Sequence, residues 1–397
     1  MTDLSARVKA LAEAYVADTI KVRRHLHQHP ELSFEEVETS QYVAAYLDQL
    51  GIPYESGLVK TGLRATISGK NPSAKVIALR ADLDALPIAE TNEVPYRSTN
   101  EGVMHACGHD VHTASLLGSM RILNDLRTEF EGSISCVFQP GEELLPGGAK
   151  LMIEEGVLQN PKPQRMFGQH VYPDMEAGKV GFRSGMYMAS SDEIRIKVIG
   201  KGGHAALPHL VVDPILIASH LVVALQQLVS RNSQPDLPTV LSFGWIEGKG
   251  ATNIIPNEVM LMGTFRTFDE VWRQDALQKL SQLAIGLVES MGGKCELDIR
   301  KGYPFLVNDE ATTQLAKSRA IHYLGAENVI DLDLRMTAED FAYYSQVVPS
   351  CFYRLGVRNE AKGITSGLHT PTFDIDEKAL ETSIGLMAWL ALEELRN

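Results

Sequence analysis

The chain has 397 residues, of which 44% are hydrophobic and 22% charged, and its formal net charge at pH 7 is −13. This length predicts two domains, and the composition is that of a globular protein without low-complexity tracts. The acidic balance argues against nucleic acid or an anionic membrane as the main partner. The cysteines, Cys107, Cys136, Cys295 and Cys351, lack a disulfide-framework spacing, which predicts free thiols in a reducing compartment. Residues 1–7 lack the apolar core of a signal peptide and no apolar run approaches about 18 residues, so we expect a cytoplasmic protein.

The first half of the chain predicts helices that alternate with short apolar strands. Apolar residues at helical spacing cover residues 4–26, which Pro30 follows, and residues 36–50, which Gly51 closes. Further along, strands are predicted at 63–67, 75–80, 133–138 and 166–172, and helices at 111–126 and 147–158. The strand segments are short and apolar, as strands buried inside a sheet are.

Three histidines lie at the end of the first predicted helix. His25, His27 and His29 are spaced i, i+2 and i+4, so they cannot all share one helical face. Either they contribute to a metal site or they form an exposed basic helix end, which the helix macrodipole favours. The spacing favours the exposed helix end.

After residue 190 the pattern changes to that of a different domain. Strands are predicted at 192–199, 239–247, 257–268 and 294–301, and helices at 213–231 and 271–291. The order βαββαβ is that of a two-layer α+β domain of ferredoxin-like type. Residues with catalytic chemistry resume afterwards, followed by a strand at 351–356 and a last helix at 377–395. We therefore predict that residues 189–301 are inserted into a discontinuous catalytic domain formed by residues 1–188 and 302–397.

Side chains that bind metals follow the ends of several predicted strands. Asp82 and Asp84 follow the strand at 75–80, Glu142 and Glu143 follow the strand at 133–138, and His170 lies near the end of the strand at 166–172. Open α/β sheets bind ligands beyond the carboxyl ends of their strands, so the repeated placement favours a metal site. Taken alone, either aspartate also fits an Asx-type turn, and a single histidine also fits a core position.

The segment 105–143 is the centre of that prediction. Cys107 and His109 are two residues apart on a glycine-containing segment, so a loop could direct both side chains the same way. His369, in a loop flanked by glycine and proline, supplies a ligand from the end of the chain. With His170 and one of two adjacent glutamates, these residues exceed what one tetrahedral structural zinc requires. An open site or two metals that share a bridge is therefore indicated.

The two adjacent glutamates have different predicted roles. In an extended backbone only one of Glu142 and Glu143 faces the metals, and its neighbour lies close by as a general base for water. The residues alone leave open which glutamate has which role. A site of this kind predicts hydrolysis without a covalent intermediate.

Six motifs, in order along nearly the whole chain, carry a resemblance to a known family. They are HQHPEL at 27–32, RADLDALP at 80–87, HACGHD at 105–110, QPGEE at 139–143, GGHAALPH at 202–209 and LHTP at 368–371. In these motifs the chain resembles the M20 metallopeptidases, and more narrowly their amidohydrolase branch of hippurate hydrolases, N-acyl-amino-acid deacetylases and auxin-conjugate hydrolases. The resemblance implies an α/β catalytic domain, with helices on both faces of a mixed sheet, and an inserted α+β ferredoxin-like domain that acts as a lid and in dimerisation.

The resemblance also implies roles for individual residues. The implied ligands of two divalent metal ions per subunit are Cys107, His109, Glu143, His170 and His369. Glu142 is the implied general base, and Asp84 is the implied support that orients a ligand histidine. Other M20 branches have a histidine and a bridging aspartate where this chain has Asp82 and its Cys-Gly-His loop, which leaves the metal open. Sulfur suits zinc, members of this branch are often described with manganese, and cobalt and nickel are further candidates.

The inserted domain has implied roles of its own. His204, in the GGHA loop, would stabilise the tetrahedral oxyanion in its own or a partner subunit's active site. Asn253 and Arg266 are candidates for holding the substrate carboxylate. The alternatives are an exposed loop histidine for His204 and a structural ion pair for Arg266. A homodimer or higher homo-oligomer, formed through this domain, is expected.

The function that these predictions imply is the metal-dependent hydrolysis of N-acyl-L-amino acids, of the hippurate or N-acetyl type, to a free amino acid and a carboxylate. A dipeptidase or aminopeptidase on the same fold is the alternative among enzymes. A third alternative is a non-catalytic member that binds a small molecule. Such a member should lack the base or a ligand, and this chain retains all of these residues.

Overall fold

The structure is a computed structural model that describes residues 4–396 and divides into two compact units. The first unit comprises the chain up to Gly185, the segment Val307–Asp333 and the chain from Asp340 onward. The second unit comprises Met186–Leu306 and Leu334–Glu339. Residues 1–3, which belong to the stretch used to predict the location, and residue 397 lie outside the described residues.

Helices and strands are numbered here in chain order. The α-helices are α1 (Leu4–Gln28), α2 (Val37–Leu50), α3 (His109–Asp125), α4 (Gly148–Glu154), α5 (Pro214–Leu225), α6 (Glu270–Ser290), α7 (Glu310–Leu324), α8 (Ala342–Ser345) and α9 (Ala379–Arg396). The strands are β1 (Tyr54–Leu58), β2 (Gly62–Ser68), β3 (Val76–Asp82), β4 (Ser133–Gln139), β5 (Arg165–Glu176), β6 (Val180–Phe182), β7 (Gly185–Met188), β8 (Asp192–Ile199), β9 (Gly203–His204), β10 (Thr239–Glu247), β11 (Ile254–Ile255), β12 (Glu258–Thr267), β13 (Lys294–Lys301), β14 (Leu306–Asn308), β15 (Val329–Asp331) and β16 (Ser350–Arg358). Each predicted helix and strand is present, whereas α7 and several short strands were not predicted.

The first unit is built on a mixed sheet with the strand order β1-β2-β4-β3-β5-β16-β6-β15. Its centre is parallel, since β3 pairs in parallel with β4 and β5, and β5 pairs in parallel with β16. Every residue of β3 and β4 is buried, as expected where helices cover both faces of parallel strands. Helices α3 and α9 pack on β3, whereas α4 and α8 contact β4 and β16. This arrangement confirms the predicted α/β fold class.

The register of the central strands brings polar side chains to one edge of the sheet. Asp82, the last residue of β3, lies opposite Gln139, the last residue of β4. On the other side of β3, Arg80 lies opposite Gly168 of β5, two residues before His170. Because these strands are parallel, the segments that follow them leave the sheet at the same edge.

The second unit contains a four-stranded antiparallel sheet with the order β10-β12-β8-β13. Helices α5 and α6 pack on this sheet, and buried residues alternate with less buried ones along β8. The chain order β8-α5-β10-β12-α6-β13 and this strand order are those of a ferredoxin-like fold, as predicted. The helix predicted at 213–231 differs in detail, because α5 ends at Leu225 and a π-helical turn, Leu228–Asn232, follows it.

One helical segment of the second unit has the length and composition of a membrane span. It is Pro214–Asn232, with a mean hydropathy of 1.2. It is not an uninterrupted apolar run, since His220, Gln226 and Gln227 lie within it. Its residues Ile217, Leu221 and Leu225 are buried in the core of this unit, so one face of α5 packs on the four-stranded sheet.

Candidate metal centre

Gly108 determines the path of the loop that carries Cys107 and His109. It has a φ of +83°, and a Cβ at this position would lie 2.5 Å from Val171 Cγ2. Only glycine combines this backbone conformation with such a close approach to β5 at low cost. The approach brings Cys107 Sγ to 3.4 Å from His170 Nε2, while His109 begins helix α3.

The orientation of the His170 ring is set by its neighbour in β5. His170 Nδ1 lies 2.8 Å from the carbonyl oxygen of Val171. A carbonyl oxygen can only accept a hydrogen bond, so Nδ1 carries the hydrogen and donates it. Nε2 is therefore the nitrogen with an available lone pair, and it is the one that lies beside Cys107.

Asp84 holds both the glutamate loop and His109. Its two carboxylate oxygens accept the main-chain N–H groups of Glu142 and Glu143, at 3.0 and 2.9 Å. Asp84 Oδ1 also lies 3.3 Å from His109 Nδ1, and Ser33 Oγ donates to Asp84 Oδ2 at 2.6 Å. These contacts fix the His109 ring so that its Nε2 is directed away from Asp84, toward the two glutamates.

A buried glutamate, which was not predicted from the sequence, supports the same loop from the other side. Glu36 Oε1 accepts the N–H of Gly141 at 2.8 Å, and Glu36 Oε2 accepts the hydroxyl of Thr61 at 2.7 Å. Gly141 has a φ of +62°, and a Cβ there would lie 2.4 Å from the Phe34 ring. The segment between α1 and α2 therefore forms a surface on which the glutamate loop is packed.

His369 approaches from the end of the chain. Its main-chain N–H donates to the carbonyl oxygen of Ala106 at 2.8 Å, which attaches its loop to the one that carries Cys107. His369 Nε2 lies 3.2 Å from Glu143 Oε1, and the His369 side chain is 53% exposed. This side of the cluster is therefore open to solvent, whereas Cys107, His109 and His170 are buried.

The structure brings all the predicted ligands and Glu142 together. The atoms that could bind a metal lie within 4.8 Å of one another in three overlapping sets: Cys107, His109 and His170; Cys107, Glu143 and His369; and His109, Glu142 and Glu143. We call Cys107, His109, Glu143, His170 and His369 the ligand cluster. Cys107 is shared by the first and second sets, and His109 is shared by the first and third.

Two buried atoms of the ligand cluster lack hydrogen bonds. Within residues 4–396, neither His109 Nε2 nor Glu143 Oε1 makes a hydrogen bond, although His369 Nε2 lies 3.2 Å from Glu143 Oε1. An unpartnered buried polar atom is costly, and these two belong to residues that ligate divalent metals in proteins. The sulfur, nitrogen and oxygen donors, with their unpartnered atoms, therefore fit a site for divalent metal ions.

The pKa values in the cluster reflect the negative charge around it. Burial alone would lower the pKa of His109, but Asp82, Asp84 and Glu143 outweigh burial and raise it to about 10. Burial and the charges of Glu143 and Glu142 hold the pKa of the Cys107 thiol well above its usual range. A divalent cation among these groups would reverse both effects, because it favours the thiolate and the neutral imidazole.

Asp82 Oδ2 lies 3.7 Å from His109 Nε2, next to the ligand cluster, yet both of its carboxylate oxygens accept hydrogen bonds from other protein side chains. His112 Nδ1 donates to Asp82 Oδ1 at 2.6 Å, and Arg80 Nη1 donates to Asp82 Oδ2 at 2.7 Å. His112 Nε2 accepts the N–H of Val171 at 2.9 Å, which identifies Nδ1 as the protonated nitrogen. Burial opposes ionisation of Asp82, but His109, Arg80 and His112 hold its pKa well below the usual range.

Asp82 belongs to a larger buried group, which we call the arginine network. Its members are Arg80, Asp82, His112, Gln139 and Asp340. The chemistry of the strand-end aspartates was visible in the sequence, but Arg80 and His112 carried no spacing signal. Asp340 is 260 residues from Arg80 along the chain, so no local pattern could have paired them.

The prediction of an exposed basic helix end is wrong for His27. This side chain is fully buried, with Nδ1 2.8 Å from Asp110 Oδ2 and Nε2 3.3 Å from Glu90 Oε1. Arg23 Nε also donates to Asp110 Oδ2, at 2.7 Å. Burial and Arg23 would lower the pKa of His27, but Asp110 and Glu90 outweigh them and raise it. Helix α1 packs against α3 through these contacts, so the face of its last turn that carries Leu26 and His27 is buried, whereas His25 and Gln28 are partly exposed.

His204 and Asn253 lie close to each other in the second unit. His204 ends the short strand β9, is exposed, and accepts the N–H of Ala206 on Nδ1 at 3.1 Å. The N–H of Ala205 donates to the carbonyl oxygen of Asn253 at 3.0 Å. The side chain of Asn253 is exposed next to β11, which pairs with β9.

Arg266, near the end of β12, is partly buried and is not part of an ion pair. Its Nη1 donates to the carbonyl oxygen of Met336 at 3.1 Å. Of the carboxylates that the structure describes, none lies within 4 Å of the guanidinium, so the structural ion pair considered as an alternative is absent from this part of the chain. Burial lowers the pKa of Arg266.

Comparisons with known proteins agree with the motifs. The model of peptidase family M20/M25/M40 matches residues 78–393. The chain is 41% identical to the N-acetyl-L-cysteine deacetylase of Bacillus subtilis, over 91% of this chain and 84% of that protein. It is 42% identical to the N-acyl-L-amino acid amidohydrolase of Geobacillus stearothermophilus, over 76% of this chain and 80% of that protein.

A solved structure extends the similarity to the fold. The Bacillus subtilis YXEP protein, described as a dinuclear metal-binding peptidase from the M20 family, superposes with a TM-score of 0.82. It is 34% identical to this chain, and the match covers 96% of this chain and 99% of that one.

Proposed function

Because this chain belongs to the M20/M25/M40 peptidase family, we propose that it hydrolyses the amide bond of N-acyl-L-amino acids to a free amino acid and a carboxylate. The observation that carries the proposal is the convergence of the ligand cluster on Glu142. Relatives that share about two fifths of its residues are named for the same class of substrate, N-acetyl-L-cysteine and N-acyl-L-amino acids. The amide-bond hydrolase class follows from the family, and the substrate is the proposal.

The ligand cluster would hold two divalent ions through its sulfur, nitrogen and oxygen atoms, with Cys107 among the buried ligands. His109 and His170 would complete the buried ligand set, and Glu143 and His369 the solvent-facing one. Sulfur and imidazole donors suit zinc, cobalt and nickel, whereas carboxylate oxygen also suits manganese. When bound, such ions polarise the amide carbonyl and lower the pKa of water.

Glu142 would serve as the proton carrier. Its Oε2 lies 4.0 Å from His109 Nε2, close enough to the ligand cluster to face a water there. Oε2 accepts a proton from that water as the oxygen attacks the carbonyl carbon, and it then delivers the proton to the amide nitrogen as the C–N bond breaks. The products are a carboxylate and the ammonium form of the amine, which takes up the second proton of the water, and no covalent enzyme intermediate forms.

The second unit would supply further residues that act on the substrate. His204 would donate a hydrogen bond to the oxyanion, and Asn253 and Arg266 would bind the substrate carboxylate. The absence of a carboxylate partner for Arg266 among the described residues supports this use of its charge. We assign residues 189–301 as the lid and dimerisation domain of a cytoplasmic homodimer or higher homo-oligomer.

The decisive experiment is a substrate panel. The metal-free protein is reconstituted with zinc, manganese, cobalt or nickel and assayed on hippurate, N-acetyl amino acids and unblocked dipeptides. Release of free amino acid from the capped substrates, with little turnover of dipeptides, is the expected result. Preference for unblocked dipeptides would instead favour a peptidase, as the description of YXEP suggests for that protein. Turnover that survives removal of all metal would contradict the mechanism.

A further inference from the structure

Arg80 lies at the centre of a buried network, and each of its side-chain nitrogens donates to a different residue. Nε donates to Gln139 Oε1 at 2.9 Å, Nη1 to Asp82 Oδ2 at 2.7 Å and Nη2 to Asp340 Oδ1 at 2.8 Å. The Arg80 side chain is 1% exposed. A planar guanidinium with these bonds has one orientation, so the positions of the three acceptors depend on one another.

Asp340 is held more firmly than one ion pair would hold it. Besides Arg80, the Gln139 amide donates to both Asp340 oxygens, at 2.9 and 2.7 Å, and the N–H of Ala149 donates to Oδ2 at 2.9 Å. The main-chain N–H of Asp340 in turn donates to Glu142 Oε1 at 3.3 Å. The backbone of Asp340 is thus placed by its own side chain, and it presents a donor to the proposed proton carrier.

The other end of the network leads to the ligand cluster. Arg80 and His112 hold the two oxygens of Asp82, and His112 Nε2 accepts the N–H of Val171. Val171 follows His170 in β5, and its carbonyl oxygen fixes the His170 ring. The same guanidinium therefore braces the peptide next to a ligand and the peptide that contacts Glu142.

From these contacts we infer that Asp340, held by Arg80 and Gln139, is a positioning residue that orients Glu142 for proton transfer through its main-chain N–H. This inference rests on the function proposed above. With Oε1 bound to the Asp340 N–H, Oε2 is the oxygen turned toward His109 and the ligand cluster. A carboxylate that can rotate away from its target loses rate steeply, since about 1 Å of misplacement can cost about 100-fold.

The test combines Asp340→Asn with Glu142→Gln. An amide at residue 340 cannot accept from Arg80, Gln139 and Ala149 together, so its backbone should shift. On an N-acyl amino acid, Asp340→Asn is expected to lower kcat by about 10- to 100-fold while KM and the bound cobalt content stay within about twofold. In the Glu142→Gln background the same change should cost little more, because residues that act as a unit are non-additive. An equal loss in both backgrounds would show a merely structural role and overturn the inference.

Two further variants keep the result interpretable. Gln139→Met removes the amide that donates to both oxygens of Asp340, and it tests the inference if Asp340→Asn fails to fold. We expect kcat to fall less than in Asp340→Asn, and we expect no further fall in the Glu142→Gln background. Arg319→Lys is the matched control. It weakens the ion pair between Arg319 Nη1 and the buried carboxylate of Glu394, which are 2.6 Å apart. This pair belongs neither to the ligand cluster nor to the arginine network, so the substitution should change thermal stability but not kcat.

The outcomes also separate this inference from the proposed function. If the wild-type protein does not turn over N-acyl amino acids, the proposed function itself fails. If it does but Glu142→Gln retains wild-type turnover, the role of Glu142 as proton carrier fails, and the positioning role of Asp340 fails with it. If Glu142→Gln is impaired but Asp340→Asn and Gln139→Met both keep the wild-type kcat, the positioning role alone fails.

Discussion

The ligand cluster and the arginine network are neighbours in the first unit, yet they differ in how completely they are hydrogen-bonded. In the ligand cluster, His109 Nε2 and Glu143 Oε1 make no hydrogen bond within residues 4–396, and Glu143 Oε1 has only the 3.2 Å contact with His369 Nε2. In the arginine network, no buried side-chain nitrogen or oxygen of the five residues lacks one. Cys107, His109 and His170 of the ligand cluster are as buried as the arginine network, so burial alone does not explain the difference.

The difference shows how a binding site is maintained inside a folded domain. An unpartnered buried polar atom costs about 1–3 kcal/mol, and left to itself the chain would rearrange to satisfy it. The arginine network and Asp84 prevent that rearrangement because they fix the backbone on which the ligands stand. The supporting residues form their own hydrogen bonds and leave His109 Nε2 and Glu143 Oε1 without one. A bound metal ion would contact these two atoms without disturbing the arginine network.

Of the changes that test this comparison, removal of the metal should have the largest effect on activity and stability. If the unpartnered atoms are ligands, dialysis against a chelator will abolish activity, and added zinc or manganese will restore it. Binding at a free-metal concentration of about 100 Kd should also stabilise the fold by about 2.7 kcal/mol. The measurement is thermal unfolding with and without metal. Identical unfolding and activity in both samples would show that the cluster binds no metal.

Glu142→Gln should have the next largest effect. The amide keeps the size of the side chain but cannot accept a proton, so kcat should fall about 10²- to 10⁴-fold while the metal content is unchanged. Glu143→Gln is the matched control, because it is expected to reduce the metal content as well as the rate. Steady-state kinetics with metal analysis of both variants would measure this. If the two variants behave in the opposite way, the roles of the two glutamates are exchanged.

The variant Asp84→Asn tests whether the residues that support the ligand cluster determine metal affinity by positioning its ligands. Asp84 accepts the N–H groups of Glu142 and Glu143 and contacts His109 Nδ1. An asparagine would direct its NH2 group at one of these donors, and metal affinity should fall about 10- to 100-fold. Titration of the metal-free variant with cobalt measures the change. Ser33→Ala removes one donor from Asp84 and should have a much smaller effect; equal effects of both variants would contradict this account.

The residues of the ligand cluster could be predicted from the sequence, whereas most of the residues that support them could not. Cys107, His109 and Glu143 have side chains whose metal chemistry is known, and the motifs placed them near strand ends and a helix start. The strands were predictable because buried parallel strands are continuous apolar runs, as in β3 and β4. The roles of Cys107, His109 and Glu143 as metal ligands stay predictions, whereas the structure shows that these side chains lie close together.

The supporting residues could not be predicted because their roles depend on residues that are far away along the chain. Arg80 looks like a charged residue within an apolar strand until Asp340 is placed beside it. Glu36 shows no role until the loop at Gly141 is packed on it. His27 was predicted to be exposed because helix periodicity does not reveal that α3 covers the last turn of α1. The roles of Arg80, Glu36 and His27 depend on contacts between distant segments of the chain, and a local sequence pattern does not reveal such contacts.

Gly108→Ala should have the smallest effect on activity, and it tests whether backbone placement underlies the ligand cluster. At a φ of +83°, alanine costs about 1–3 kcal/mol in strain, and its Cβ would meet Val171 Cγ2 at 2.5 Å. Urea unfolding should show this loss of stability, and cobalt affinity should fall because Cys107 and His109 flank the substituted residue. In the Gly108→Ala background, Val171→Ala relieves the contact but not the backbone strain, so recovery should be partial. Full recovery would assign the whole cost to the contact with β5, and no recovery would assign it to the backbone conformation of residue 108.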